Sequence, residues 1–323
     1  MAKPPPTRAR AVTEVRSARA RMDRVIDRTA MRPARSAFNV EGGIMHRAVR
    51  ASEKGRLMLP ADHSAIHRMQ GMVSGHVRTM TDRIGTALAS ATRGTLEESL
   101  RGLGGFVERV NGDAGSLNDD TVVRSLVAHR RTLIEAARKQ AMTRLAREVE
   151  LKIKRRLHDV ANTEGARVRD MVAAVNDELE NQWWQVERIV RTESAVAYNV
   201  AQADGIRELA RSVRGLKMRW TELIDDATGQ PFDNRVAVDS FAMHGQVAAI
   251  GGQFTMPPGL PRGSAVGHGK KASRGFQHMV GQSWAQPPNR PNDRAVLTPW
   301  LKAWGVPGWV FQNGRRVNLR PKQ

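Results

Sequence analysis

Apolar side chains recur at every third or fourth position through most of the first two-thirds of the chain, a period that predicts long amphipathic helices. Between residues 61 and about 103, Ile66, Met69, Val73, Val77, Met80, Ile84, Ala87 and Ala91 mark one helical face. Gly71, Gly75 and Gly85 interrupt it, as close helix contacts or a break. Residues 102–116 are Gly-rich and read as a loop, after which Asn118 or Asp119 can cap the next helix. From 121 to 160, Leu133, Ala137, Ala141, Leu145, Val149, Ile153 and Leu157 step by four. That step outruns the helical turn, so the stripe winds around the helix and predicts two packing neighbours or a bend. Residues 163–179 and 182–213 continue as two helices, with Trp183 and Trp184 near their junction. The tryptophan pair can anchor that junction or an interface, or offer a base-stacking platform.

The pattern weakens at both ends. Residues 1–7 are Pro-rich and extended; residues 9–29 form an Ala/Arg-rich helical arm. Its apolar positions Val12, Val15, Met22, Val25 and Ile26 are too few to fold alone, so the arm needs a partner surface or stays mobile. Arg32-Pro33 ends it, and residues 36–60, with Gly42, Gly43, Gly55 and Pro60, read as a connector. Past Gly215 the period becomes two: Leu216, Met218 and Trp220 alternate as in a strand with one buried face. Asp225 to Gly229 is a turn, and Gly251-Gly252 between two short apolar runs predicts a hairpin. The 59 residues from 256 to 314 hold 8 prolines, 9 glycines and four of the seven tryptophans, which predicts an extended basic strap. The expected fold is α+β, mainly α: a basic arm and linker (1–60), a helical body (61–214), a small β-containing module (215–300) and a basic tail (301–323).

A chain of 323 residues can bury a substantial core. Its 52 basic and 32 acidic side chains give a net charge of +20, concentrated at the ends: 10 basic against 3 acidic in residues 1–35, and 11 against 1 in residues 255–323. Cationic ends on a nearly balanced body suit a polyanion, with nucleic acid first in line because phosphate neutralisation releases counterions. Arg8, Arg10, Arg16, Arg19, Arg21, Lys270, Lys271, Arg274, Arg315 and Arg316 are the candidate phosphate contacts. Solubility, or an acidic protein partner, would explain the same charge. The absence of cysteine excludes disulfides and thiolate zinc sites. No run of transmembrane length and no signal-peptide core is present. An Arg-rich, acid-poor start would also suit an organellar transit peptide.

Candidate chemistry is sparse. His63 and His67 lie four apart on a helix but lack a local third ligand. Glu193 interrupts the apolar stripe Val186, Val190, Ala197, Val200 and needs a partner there, or could act as an acid. Gly267 to Lys271 lacks the first glycine of a phosphate loop, since position 264 is Ser264. Asp225, Asp226, Asp233, His244 and Asp293 could surround a hard cation, or satisfy turn amides and pair with Arg290 or Arg294.

Five pieces recur in order: Arg191-Thr192-Glu193, Trp220, Asp225-Asp226 with Thr228, His244-Gly245, and the segment from Pro287 through Pro288, Pro291, Asn292 and Asp293 to Arg294. Together, over roughly residues 185–300, they resemble the C-terminal signature of the head-morphogenesis, or minor capsid, proteins of tailed bacteriophages, the family of phage Mu protein F. Many members carry cysteines after the Asp-x-x-Thr turn and in the Pro-Asn-Cys-Arg segment; this chain has none. The resemblance implies a structural protein without catalysis or cofactor, built into the virion during assembly in the host cytoplasm. Portal protein, major capsid protein and packaged double-stranded DNA would be its partners, with a place inside the head near the portal and a possible oligomer around it. It also sets the transit-peptide reading aside. A metal-assisted hydrolase using Glu193, Asp225, Asp226 and His244 is the rival, and a host nucleoid protein the third possibility.

Overall fold

The computed structural model describes residues 8–113, 115–226, 228–232, 238–257, 281–288 and 293–319. Five long helices dominate: α1 (Arg8–Ile26), α2 (Arg32–Ser52), α3 (His63–Asn111), α4 (Asp120–Ala161) and α5 (Val168–Leu209). A short helix α6 (Val238–Met243) and seven strands follow, in sheets of two or three strands, so the fold is α+β and mainly α. None of the described helices is long and apolar enough to cross a membrane.

The chain folds into two units. One comprises residues 27–92 and 132–191, the other residues 1–26, 93–131 and 192–323, so α3, α4 and α5 each contribute a segment to both.

In the first unit the apolar stripe of α3 is buried as its spacing predicts, from Ile66, Met69, Val73 and Val77 to Met80 and Ile84, with Leu88 in place of Ala87 at its end. On α4 the buried set is Ile134, Arg138, Met142, Leu145, Val149, Ile153 and Leu157, while Leu133 is exposed. Each step of four advances about 40° around a helix. One step of three, from Met142 to Leu145, cancels that drift, which displaces the expected positions 133, 137 and 141 by one. Arg138 thereby falls inside, where its guanidinium donates to the Leu88 carbonyl and the Thr92 hydroxyl. Asp62 caps α3 by accepting the Ala65 amide at 2.8 Å.

Several expected breaks are absent, each for a physical reason. The sequence reading ends the first helix at Arg32-Pro33. The chain instead passes without a break through a π-helical turn, Asp27–Met31, into α2, with Pro33 in the first turn of α2, where its fixed φ is compatible with helix. Gly42 and Gly43 lie within α2, not in a connector, because burial of Phe38, Glu41, Met45 and Val49 outweighs their poor propensity. No break separates residues 179 and 182. Trp183 lies within α5, its ring 5.3 Å from Phe38, and Trp184 stays half exposed beneath Lys152. Residues 102–111 belong to α3; a Cβ at Gly102 would stand 3.0 Å from Arg21 Cδ, so the glycine admits α1.

In the second unit the arm is a packed helix. Ala11, Val15, Ala18, Met22, Val25 and Ile26 of α1 are buried, and α1 lies against β5 (Val296–Trp300). Leu96, Leu100, Leu103, Phe106 and Val110 of α3 and Tyr198, Ile206 and Leu209 of α5 fill the helical core, with Gly205 allowing close approach to Leu103. The main sheet is antiparallel in the order β2 (Val247–Ala248), β1 (Lys217–Thr221), β5. Gly251-Gly252 does not form the expected hairpin, since β3 (Phe254–Thr255) pairs with β4 (Ser283–Trp284) and not with β2. The Gln246 side chain replaces that ladder, its amide donating to the Thr255 carbonyl at 2.9 Å and accepting its N–H at 2.7 Å. The expected strap and tail are also structured from residue 293 to 319. All of β5 is buried, and Trp304 packs on Phe106 with rings 5.8 Å apart. β6 (Trp309–Gln312) and β7 (Arg315–Asn318) form a hairpin through Asn313 and Gly314, both at positive φ.

Candidate functional site

Alternation along β1 places Met218 and Trp220 on one face and Arg219 and Thr221 on the other. The sequence pattern marks the first face as the buried one, yet the segment from β5 to β6 covers the second as well, and Arg219 is fully buried. A charge can sit there only if every donor is met. Arg219 Nε donates to the Pro307 carbonyl at 2.9 Å, Nη1 to Thr221 Oγ1 at 2.9 Å and Nη2 to Asp226 Oδ1. Thr221 in turn bonds Thr298 across the sheet at 2.8 Å.

His244 completes the cluster. Its Nδ1 accepts the backbone N–H of Glu222 at 3.0 Å, which fixes the proton of the neutral ring on Nε2, 3.0 Å from Asp226 Oδ1. Burial holds the imidazole below its usual range, and Arg219 adds to this against the opposing pull of Asp226. For Asp226, burial favours the neutral acid, but the bonds from His244 and Arg219 outweigh it and keep the carboxyl below its usual range. Gly245, at φ +79°, turns the chain so that its N–H reaches the Trp220 carbonyl (2.8 Å) and its carbonyl receives the Trp309 N–H (3.0 Å). Trp309 Nε1 closes the ring of contacts on the His244 carbonyl at 2.7 Å. An open cleft of about 350 Å³ borders this cluster, lined among others by His244, Asp225, Asp226, Gly245, Trp309 and Arg316.

Trp220, Asp226, His244 and Gly245 are therefore neighbours, and Thr228 belongs to the adjoining turn, its amide bonded to Asp225 Oδ1 at 3.1 Å. Asp225 is ion-paired with Arg16. Asp293 is buried and accepts the Ala295 amide at 3.1 Å, Arg294 lies 3.5 Å from Asp23, and Pro287-Pro288 is cis. Arg191, Thr192 and Glu193 lie on α5, where Arg191 pairs with Glu187 at 2.9 Å. Further along α5, Asn199 reaches the start of β5. Its amide donates to the Ala295 carbonyl (3.1 Å) and accepts the Leu297 N–H (2.7 Å), so a side chain serves as the missing neighbour of β5. Pro291, Asn292, Lys270, Lys271, Arg274, Asp233, Arg290, residues 267–269 and the side chain of Arg8 lie outside the described residues. Among the described residues no group of three or more His, Asp or Glu side chains is gathered as for a metal ion.

The arginines of α1 divide. Arg10 is exposed. Arg19 is only 3% exposed and leans on Asp23 at 3.3 Å, because its position borders the buried stripe of Val15, Ala18 and Met22; it has no surface from which to meet a phosphate. Arg21 and Arg109 share Glu14, at 3.3 Å and 2.9 Å. Arg315 and Arg316 are exposed on β7, with Arg316 stacked 4.8 Å above the Trp309 ring.

Comparison of the chain with protein-family models, curated proteins and solved structures found no match.

The cluster makes acid sensitivity an expected property. Because the folded imidazole titrates below the unfolded value near 6.5, its stabilising contribution is complete above that pH and is lost as pH falls through it towards the folded pKa. Asp226 adds a second loss below its unfolded value of 3.8. Thermal unfolding should show wild-type protein losing midpoint temperature between pH 7.5 and 5.5. The His244→Gln variant, less stable at pH 7.5, should show a smaller loss; equal slopes would refute this assignment.

Proposed function

We propose that the chain is a structural protein of a tailed-phage head, a minor capsid or head-morphogenesis protein that docks on portal or capsid protein and touches packaged DNA through surface arginines. The observation that carries the non-catalytic part of this reading is the occupancy of His244. Both ring nitrogens are bonded inside the fold, Asp226 is shared with a buried arginine, and no ring nitrogen is left to take a substrate proton. Asp226 and His244, two of the four residues that suggested a hydrolase, thus support each other and Arg219 as a structural lock. Resemblance of the five ordered sequence pieces supplies the phage assignment.

The deciding experiment is mass spectrometry of purified virions and DNA-free proheads from a phage encoding this chain. Low-copy presence in both is the expected result, and absence from both would end the proposal. The DNA contact has its own test, in which affinity for a random duplex is followed against salt concentration. Arg10→Gln with Arg315→Gln should reduce the log–log slope by up to about 0.9 per lost phosphate contact. Arg19→Met should leave the slope unaltered, in keeping with its burial.

A further inference from the structure

The sheet edges of the second unit are treated unequally. Asn199 closes β5 and the Gln246 amide holds β3, but β7 is exposed along its whole length. A two-residue turn fixes which of its groups face outward. In such a hairpin the residues flanking the turn, Gln312 and Arg315, exchange both backbone bonds, so the pairs alternate and Val310 with Val317 form the next bonded pair. The N–H and C=O of Arg316 and Asn318 therefore point away from β6. Two donors and two acceptors stand in line on an open edge, of the kind to which extended peptides add.

The side chains specify what can add there. Arg316 and Asn318 share a face with Trp309 and Phe311, and Val317 shares the other with Val310. The guanidinium of Arg316 rests on the indole of Trp309 at the cleft margin, and neither it nor Arg315 has a carboxylate partner among the described residues. The hairpin contains no acidic residue. From this we infer that β7 is a docking edge for an extended segment of a different protein, with a carboxylate opposite Arg316 and an apolar side chain opposite Val317. A duplex does not match the edge, since phosphates accept hydrogen bonds but offer none to the two carbonyls. A second copy of the chain pairing β7 to β7 would bring together two hairpins that each carry two arginines and no acidic residue, so only like charges would approach across the new edge.

The identity of the partner rests on the docking role proposed above; the edge itself does not. The test uses the full chain and a labelled acetyl-(Val-Glu)4-amide peptide as probe, followed by fluorescence anisotropy and amide exchange. Binding should slow exchange at Arg316 and Asn318 while leaving Val317, already bonded to β6, unchanged. Arg316→Glu should weaken binding at least tenfold, and so should Asn318→Pro, which deletes one outward donor at an edge where proline is tolerated. Protection of the Val317 amide, bonded to β6, reports whether the variant hairpin stays folded. If it does not, the same peptide with every backbone nitrogen methylated asks the question of wild-type protein and should not bind. No binding of the probe, equal binding of the methylated peptide, or equal binding of acetyl-(Val-Lys)4-amide would each overturn the inference. Self-association of the wild type that Asn318→Pro abolishes would replace it with a homodimer. Probe binding by a protein missing from virions would sink the phage reading alone.

Discussion

Replacement of Arg219 by methionine should destabilise the second unit by ~3–5 kcal/mol, the range for removing one partner of a buried ion pair. Methionine fills much of the space but leaves Asp226, at 9% side-chain exposure, without its guanidinium, along with the Pro307 carbonyl and the Thr221 hydroxyl. Urea unfolding monitored through tryptophan fluorescence reads the effect directly. The double change Arg219→Met with Asp226→Asn should be less damaging than the single one, because the stranded charge is gone and His244 keeps an acceptor. A single variant costing less than ~1 kcal/mol would mean that the pair behaves as an exposed one, and the lock would lose its basis.

The second large effect is expected at Asn199. Leucine there strands the Ala295 carbonyl and the Leu297 amide, two buried backbone groups at about 1–3 kcal/mol each. Aspartate should be worse than its similarity of shape suggests, since it still accepts the Leu297 N–H but turns an acceptor towards the Ala295 carbonyl. Hydrogen exchange separates this from a general loss of packing. In Asn199→Leu the Leu297 amide should lose protection ahead of the Thr221 amide on neighbouring β1; simultaneous loss at both would show that Asn199 does not close the edge.

The helices were legible because their apolar period is a local property of the chain. The one-residue displacement on α4 was not, since a step of four fixes a face only over a few turns, and the neighbour decides where the drift is corrected. Glycine misled twice in the same way. Gly42-Gly43 and Gly102 read as breaks from propensity, but what decides is burial elsewhere on the helix, as at Phe38 and Met45 of α2, and contact far off in sequence, as between Gly102 and Arg21. The pattern points to a hairpin at Gly251-Gly252, although Asn313-Gly314, the stronger turn signal of the two, lies in a segment whose charge reads as a basic tail. In the candidate site, Trp220, Asp226, His244 and Gly245 were singled out and do meet. The role of Arg219 is hidden because alternation assigns its face to solvent, and the contacts of Asn199 are hidden because Ala295 and Leu297, at the start of β5, lie 96 and 98 residues away. A charged residue inside a strand flanked by Met218 and Trp220 was the one available hint.

The Gln246 clamp has a practical consequence. Because the Gln246 side chain and not a ladder joins β3 to the β2 side, the backbone from 249 to 253 carries no pairing register that an added residue could shift. Gly251 is exposed, with nothing within 4 Å of where a side chain would begin. Lengthening such a loop costs little entropy. A short tag inserted after Gly251 would thus leave both sheets intact and put a visible marker on the protein, so that its place in any assembly it joins could be read by imaging.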